Sequence, residues 1–184
     1  MTFEFFDDFK DGDISDWTQG SSRGSNSLVV ENGYVRGSTS DAWNGMHRSI
    51  SLPHNFIVEG EYELVSDSNY NHILISLRDS INNIGVSGIY ELEAQNELRA
   101  LPSTTGTTTS LTAGQKYYWK FYRKTDDYTV AEMGGYSDTS DSAVSNEPDT
   151  LEVSLYNSNN KLHWIRIRKY LSDLTFGTPT IQQF

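Results

Sequence analysis

Five aspartates, Asp7, Asp8, Asp11, Asp13 and Asp16, fall within ten residues near the start of the chain. Calcium takes roughly six to eight hard oxygen ligands, which closely spaced carboxylates and turn carbonyls can supply. Asp8, Asp11 and Asp13 are therefore the candidate ligands of a structural calcium ion. The spacing is not that of an EF-hand loop, because Gly12 and the missing terminal Glu do not fit. The competing reading is turn chemistry, in which Asp side chains cap and bend the chain. A second acidic run, Asp138 to Asp149, offers a weaker version of the same choice.

Recognition of a sugar needs different groups. The apolar faces of a pyranose stack on Trp and Tyr, and its hydroxyls pair with Asp, Asn, Arg and His. Trp43 stands between Asp41 and Asn44, and Tyr70 stands among Asn69, Asn71 and His72. Arg78 follows on the same strand face as His72, and Tyr136 sits in a polar stretch. These residues form the candidate ligand-binding set. Trp119, Phe121, Ile165 and Ile167 read as core, and Trp17 as packing under the first turn.

Other chemistries are poorly provided for. The four histidines, His47, His54, His72 and His163, lack the paired spacing of a zinc site, and nothing resembles a nucleophile elbow. Glu59, Glu61 and Glu63 share a strand face and read as its solvated side. There is no cysteine, so disulfides and thiol chemistry are absent. A formal net charge of −11 repels phosphate backbones and anionic lipid, so nucleic acid and membrane are poor partners. No apolar stretch approaches the roughly 20 residues that span a bilayer. The opening Met-Thr-Phe-Glu-Phe-Phe-Asp-Asp lacks a signal peptide's basic region and apolar run. We therefore expect either a protein that is soluble and intracellular at synthesis, or an extracellular or surface-exposed domain of a larger protein or virion that needs no signal of its own.

The elements that must position these groups are strands. Leu162 to Tyr170 alternates, with His163, Ile165 and Ile167 opposite Trp164, Arg166 and Arg168. Lys116 to Lys124 does the same, with Tyr117, Trp119 and Phe121 opposite Tyr118, Lys120 and Tyr122. Phe56 to Val65, His72 to Asp79, Ile84 to Leu92 and Leu151 to Tyr156 are further strands. Leu28 to Val30 and Tyr34 to Gly37 form a hairpin across Asn32-Gly33, a pair suited to positive φ angles. Ser38 to Gly45 reads as a loop carrying Trp43, and Gly134 to Asp149 as the longest irregular segment. The 184 residues suffice for one self-contained core, with a β-sandwich over 1–171, closed by its last strand, and a tail over 172–184.

Three stretches resemble the concanavalin A-like lectin/glucanase superfamily, specifically its laminin-G-like jelly rolls. Phe5 to Trp17 with Glu31 to Gly37 is similar to the opening strand, turn and second hairpin of such domains. Gly88 to Leu92 leading to Ala113 to Trp119 is similar in layout to their middle strands, and Trp164 to Tyr170 to their last strand. The resemblance implies an all-β, two-sheet antiparallel jelly-roll sandwich with a concave glycan-binding groove. It also implies a structural calcium where first and last strands meet. Enzymes of this fold carry Glu-x-Asp-x-x-Glu on one strand, with two carboxylates about 5 Å apart for retention. Glu91-Leu92-Glu93-Ala94-Gln95-Asn96-Glu97 departs from that pattern. The expected function is a non-catalytic carbohydrate-binding module for a glycan or polysaccharide. The alternatives are a structural or adhesion module with a protein partner, and a glycan-cleaving enzyme using Glu91 and Glu93.

Overall fold

Every long alternating run becomes a strand. The computed structural model describes residues 3–51, 56–65, 72–79, 84–92, 97–125, 128–141 and 147–169, among which there is no helix. In chain order the strands are β1 (Phe3–Asp7), β2 (Thr18–Gln19), β3 (Asn26–Glu31), β4 (Tyr34–Gly37) and β5 (Trp43–Ser49). There follow β6 (Phe56–Leu64), β7 (His72–Asp79), β8 (Ile84–Leu92), β9 (Glu97–Leu101) and β10 (Thr107–Thr108). The last are β11 (Gln115–Thr125), β12 (Tyr128–Met133), β13 (Tyr136–Ser140), β14 (Thr150–Tyr156) and β15 (Lys161–Lys169).

One sheet runs β3-β4-β15-β6-β11-β12-β13, with β1 also paired to β15. The other runs β10-β9-β8-β7-β14-β5, with β2 also on β5. Strand β3 joins the two: its Leu28–Glu31 part lies antiparallel to β4, while Asn26 and Ser27 run parallel to β5. That parallel contact is the one departure from antiparallel pairing among the named strand pairs. Asn32 and Gly33 take φ of 52° and 79° in the β3–β4 turn, the conformation that Asn-Gly favours.

The inner faces meet in one core. Trp119, Phe121, Tyr62, Ile165 and Ile167 pack from the first sheet against Ile73, Ile75, Leu77, Val153 and Leu155 from the second. Full burial of each large apolar side chain stabilises by about 1.5–3 kcal/mol. Trp17 joins this core, and its Nε1 donates to Asp7 Oδ2 at 2.8 Å.

Several expectations change. Trp43 opens β5 rather than sitting in a loop, and Gly134 to Asp149 contains the regular strand β13. The register of β15 against β6 shifts between Leu162 and Trp164, so His163 faces outward with Trp164 and bonds Glu63 at 2.8 Å. A one-residue bulge has inverted the face expected for it. The Glu face of β6 is not uniformly wet. Glu59 is 0% exposed and accepts hydrogen bonds from Arg166 (2.6 Å), Arg168 (2.7 Å) and Tyr118. Glu61 pairs with Lys116 at 2.8 Å, and Glu63 with Lys161 at 3.0 Å. The outer face of the first sheet is thus a ladder of ion pairs. The expected tail, 172–184, lies outside the described residues.

Candidate functional site

The outer face of the second sheet brings the candidate residues together. Alternation along β7 sends Ile73, Ile75 and Leu77 into the core, leaving His72, Leu74, Ser76 and Arg78 on the other side. Pairing places Tyr156 of β14 directly between Trp43 of β5 and His72 of β7, one row across three strands. Tyr90, beside Leu74 on β8, completes the group.

The four rings form a platform. Trp43 and His72 lie stacked at 6.1 Å with an interplanar angle of 28°. Tyr156 meets Trp43 edge-on at 5.4 Å and His72 at 5.7 Å. Tyr90 lies 6.1 Å from Trp43 and 6.2 Å from His72. Such spacing matches favourable aromatic pairing. Burial holds the His72 imidazole below its ordinary pKa, and its Nδ1 has no hydrogen-bond partner among the described residues. Burial, opposed by the charges of Arg23 and Arg99, pushes the Tyr90 phenol up. His72 and Tyr90 are therefore uncharged at neutral pH.

A loop crosses this face. Ser21 and Gly24 exchange backbone hydrogen bonds of 2.8 and 3.3 Å, setting Ser22 and Arg23 at the tip of a tight turn. Gly20 N–H donates to Gly45 of β5 at 2.7 Å, and His47 Nδ1 bonds Gly20 O at 2.9 Å. Glu152 of β14, 3% exposed, accepts from Ser22 N–H at 2.9 Å and Ser22 Oγ at 2.7 Å. Arg78 donates to Ser22 Oγ at 3.0 Å, with its Nε 3.7 Å from Glu152. From the tip, the Arg23 guanidinium reaches over the Tyr90 ring at 5.6 Å. The loop thus arches from the β2 edge to β8.

Two adjoining hollows flank the arch. One, about 710 Å³, lies between the loop, His47, Thr150 and Glu152. The other, about 350 Å³, lies over Leu74, Ser76 and Tyr90, walled by Arg23, Arg78, Arg99 and the Leu101–Thr104 turn.

Not all the candidate residues meet there. Asn44 is fully buried, its amide bonded to Thr39 and Ala42, so it braces the 38–44 turn. Asp41 is exposed with φ of 55°, and its carbonyl accepts from Tyr156 Oη at 3.0 Å. Tyr136 packs against the core from the edge of the first sheet. Tyr70 lies outside the described residues. Sequence reasoning missed Tyr90, Tyr156, Glu152, Ser22 and Arg23. The first three share one face of their sheet with His72 and Arg78, a relation that pairing order alone reveals.

Glu91 does not face this surface. It is 1% exposed on the inward side of β8, between Ile73 and Leu98, and Glu93 lies outside the described residues. The alternative that would use Glu91 as a groove carboxylate does not fit this geometry, because strand alternation turns it away from Tyr90.

At the first turn, the aspartates are occupied locally. Asp7, Asp8, Asp11 and Asp13 accept backbone N–H bonds of 2.7 to 3.3 Å from residues two positions on. Asp8 also pairs with Lys10 at 3.0 Å. Among the described residues no three His, Cys, Asp or Glu side chains are arranged to hold a metal ion.

The fold is the concanavalin A-like jelly roll. A sialidase superposes with TM-score 0.66 and 12% identity over 91% of this chain, which spans only 18% of that protein's length. The Bacillus licheniformis β-glucanase matches with TM-score 0.65 and 12% identity, over 91% of this chain and 99% of its own. The CBM2 module of the evolved Dit of Lactobacillus casei BL23 phage J-1 matches with TM-score 0.63 and 11% identity, over 90% and 94%. The sequence itself matches no protein-family model and no curated protein. This architecture hosts both binding and cleaving proteins, so function must be argued from the site.

Proposed function

We propose that this chain is a carbohydrate-binding module that holds a glycan on the outer face of its second sheet without cleaving it. The observation that carries the reading is the platform of Trp43, His72, Tyr90 and Tyr156, bordered by hydroxyls and guanidinium groups. Ring faces suit the apolar face of a sugar, and the bordering groups suit its hydroxyls. The likeness to a phage carbohydrate-binding module supports it. So does the state of the carboxylates described on this face. Glu152 is held by Ser22 and Arg78, and Glu97 is engaged by Arg99 at two bonds of 2.9 Å. Neither makes the acid and nucleophile pair that retaining hydrolysis requires.

A glycan array followed by calorimetry tests this. The expected outcome is selective binding that Trp43→Ala weakens about tenfold, roughly 1.4 kcal/mol, with no release of reducing ends from the bound glycan. Reducing-end release abolished by Glu152→Gln would overturn the non-catalytic reading.

A further inference from the structure

The smaller of the two hollows gathers positive charge on an acidic chain. The chain carries a formal charge of −11 and only eight arginines, yet three of them, Arg23, Arg78 and Arg99, line this one space. No Asp or Glu is among the residues lining it. Two of the guanidinium groups are fixed by carboxylates standing behind them, Arg99 by Glu97 and Arg78 by Glu152. Arg23 is different. It sits exposed at the tip of the arch, over the Tyr90 ring, and is paired with no carboxylate among the described residues. After Glu97 and Glu152 have offset their partners, one cationic charge remains facing the hollow.

A second observation is independent of charge. Ser76 rises from the floor, 2% exposed, and its Oγ has no hydrogen-bond partner among the described residues. A buried hydroxyl without a partner has given up its water for nothing, a loss that a ligand oxygen placed there would recover. Opposite Ser76 on β8 stands Gly88, with no side chain to cover it. Tyr90 belongs to both the platform and the hollow, so a sugar on the rings has its neighbour over Ser76.

We propose that this hollow is a subsite for an anionic sugar residue, bearing a carboxylate or a sulfate ester, next to a sugar stacked on the aromatic platform. This rests on the glycan-binding reading and narrows it to acidic polysaccharides. Arg23 meets the anion, Ser76 Oγ meets a ring or exocyclic oxygen, and Tyr90 carries the apolar edge. A guanidinium fork suits the paired oxygens of either anion.

Calorimetry with four tetrasaccharide probes tests it: oligogalacturonate, its fully methyl-esterified form, a sulfated oligogalactan and neutral laminari-oligosaccharide. At low salt, one of the two acidic probes should bind at least tenfold tighter than the methyl ester and the neutral glucan. The preference should shrink as sodium chloride is raised towards 0.5 M, by screening of an exposed charge, and which acid binds identifies the anion. Arg23→Gln, on an exposed loop tip, should abolish the preference while leaving the melting temperature unchanged. Ser76→Ala should weaken the acidic probe and leave the salt dependence intact. Equal binding of the neutral probes, or a preference that survives Arg23→Gln, overturns this subsite while the glycan-binding reading stands. Binding of none of these probes, together with a blank array, removes both.

Discussion

Glu59 shows how a single side chain ties three strands together. Burial raises its carboxyl pKa, but hydrogen bonds from Arg168, Tyr118 and Arg166 outweigh this and hold it below the ordinary value. Burial and the bond to Glu59 in turn push the Tyr118 phenol up to about 12. Because the folded carboxyl pKa is depressed, the stabilisation is present above the unfolded value, about 4.3, and is lost as pH falls through the folded value. Urea melts from pH 7 to pH 3 should show that loss in the wild type and a shallower one in Glu59→Gln. At pH 7, Glu59→Gln should cost about 3 kcal/mol, since two guanidinium groups lose their shared anion. His72 carries the opposite kind of prediction. Burial holds its imidazole below the ordinary value and so neutral at pH 7, and glycan affinity measured by calorimetry should stay flat from pH 8 to pH 7.

Among the elements, the arch over the second sheet depends on a glycine in the strand below. A Cβ on Gly45 would collide with Ser21 Cβ and Oγ, so Gly45→Ala should lift the loop from the face. The expected result is faster proteolysis within residues 20–25 and glycan binding weakened several-fold, with the sandwich still folded by circular dichroism. In the β3–β4 turn, Gly33→Ala at φ 79° should cost about 1 kcal/mol, a drop of roughly 2–4 °C. These two glycines mark the limits of what the sequence makes legible. Gly33 announces itself beside Asn32 in a known turn pair, whereas Gly45 is explained only by a loop that folds back onto it. The strands themselves were legible wherever polar and apolar residues alternate. The bulge at His163 and the strand at Tyr136–Ser140 were not, because an inserted residue has no compositional mark and Ser, Asp and Thr read as loop. Of the candidate site, His72 and Arg78 could be placed together from alternation within one strand. Tyr156, Tyr90 and Glu152 depend on which strands become neighbours, and local periodicity does not encode that order.

At the scale of the whole molecule, the two sheets share one core and are joined through β3, so they should unfold together. Tryptophan fluorescence and far-ultraviolet circular dichroism should report coincident urea transitions, and separated midpoints would show that the sheets melt independently. A structural calcium at Asp8, Asp11 and Asp13 would act at this scale by fastening β1 to the sandwich. An ion at a hundredfold over its Kd adds about 2.7 kcal/mol, so melts in calcium and in chelator should differ by several degrees. An unchanged melting temperature would leave these aspartates as turn formers alone.

The Glu152 clasp has a further consequence for how such a surface can diversify. The arch, Gly20 to Ser25, contributes no side chain to the core, and its hydrogen bonds to the sheet run through the Gly20 N–H and carbonyl, the Ser22 N–H and the Ser22 hydroxyl, which meet the strand residues Gly45, His47, Arg78 and Glu152. Its tip can therefore be rewritten as a cassette, in the manner of a hypervariable loop on an immunoglobulin frame. A library randomised at Arg23 and Ser25, with Ser22 and Glu152 retained, should yield folded variants of altered ligand preference, an inheritable route to new receptors on an unchanged scaffold.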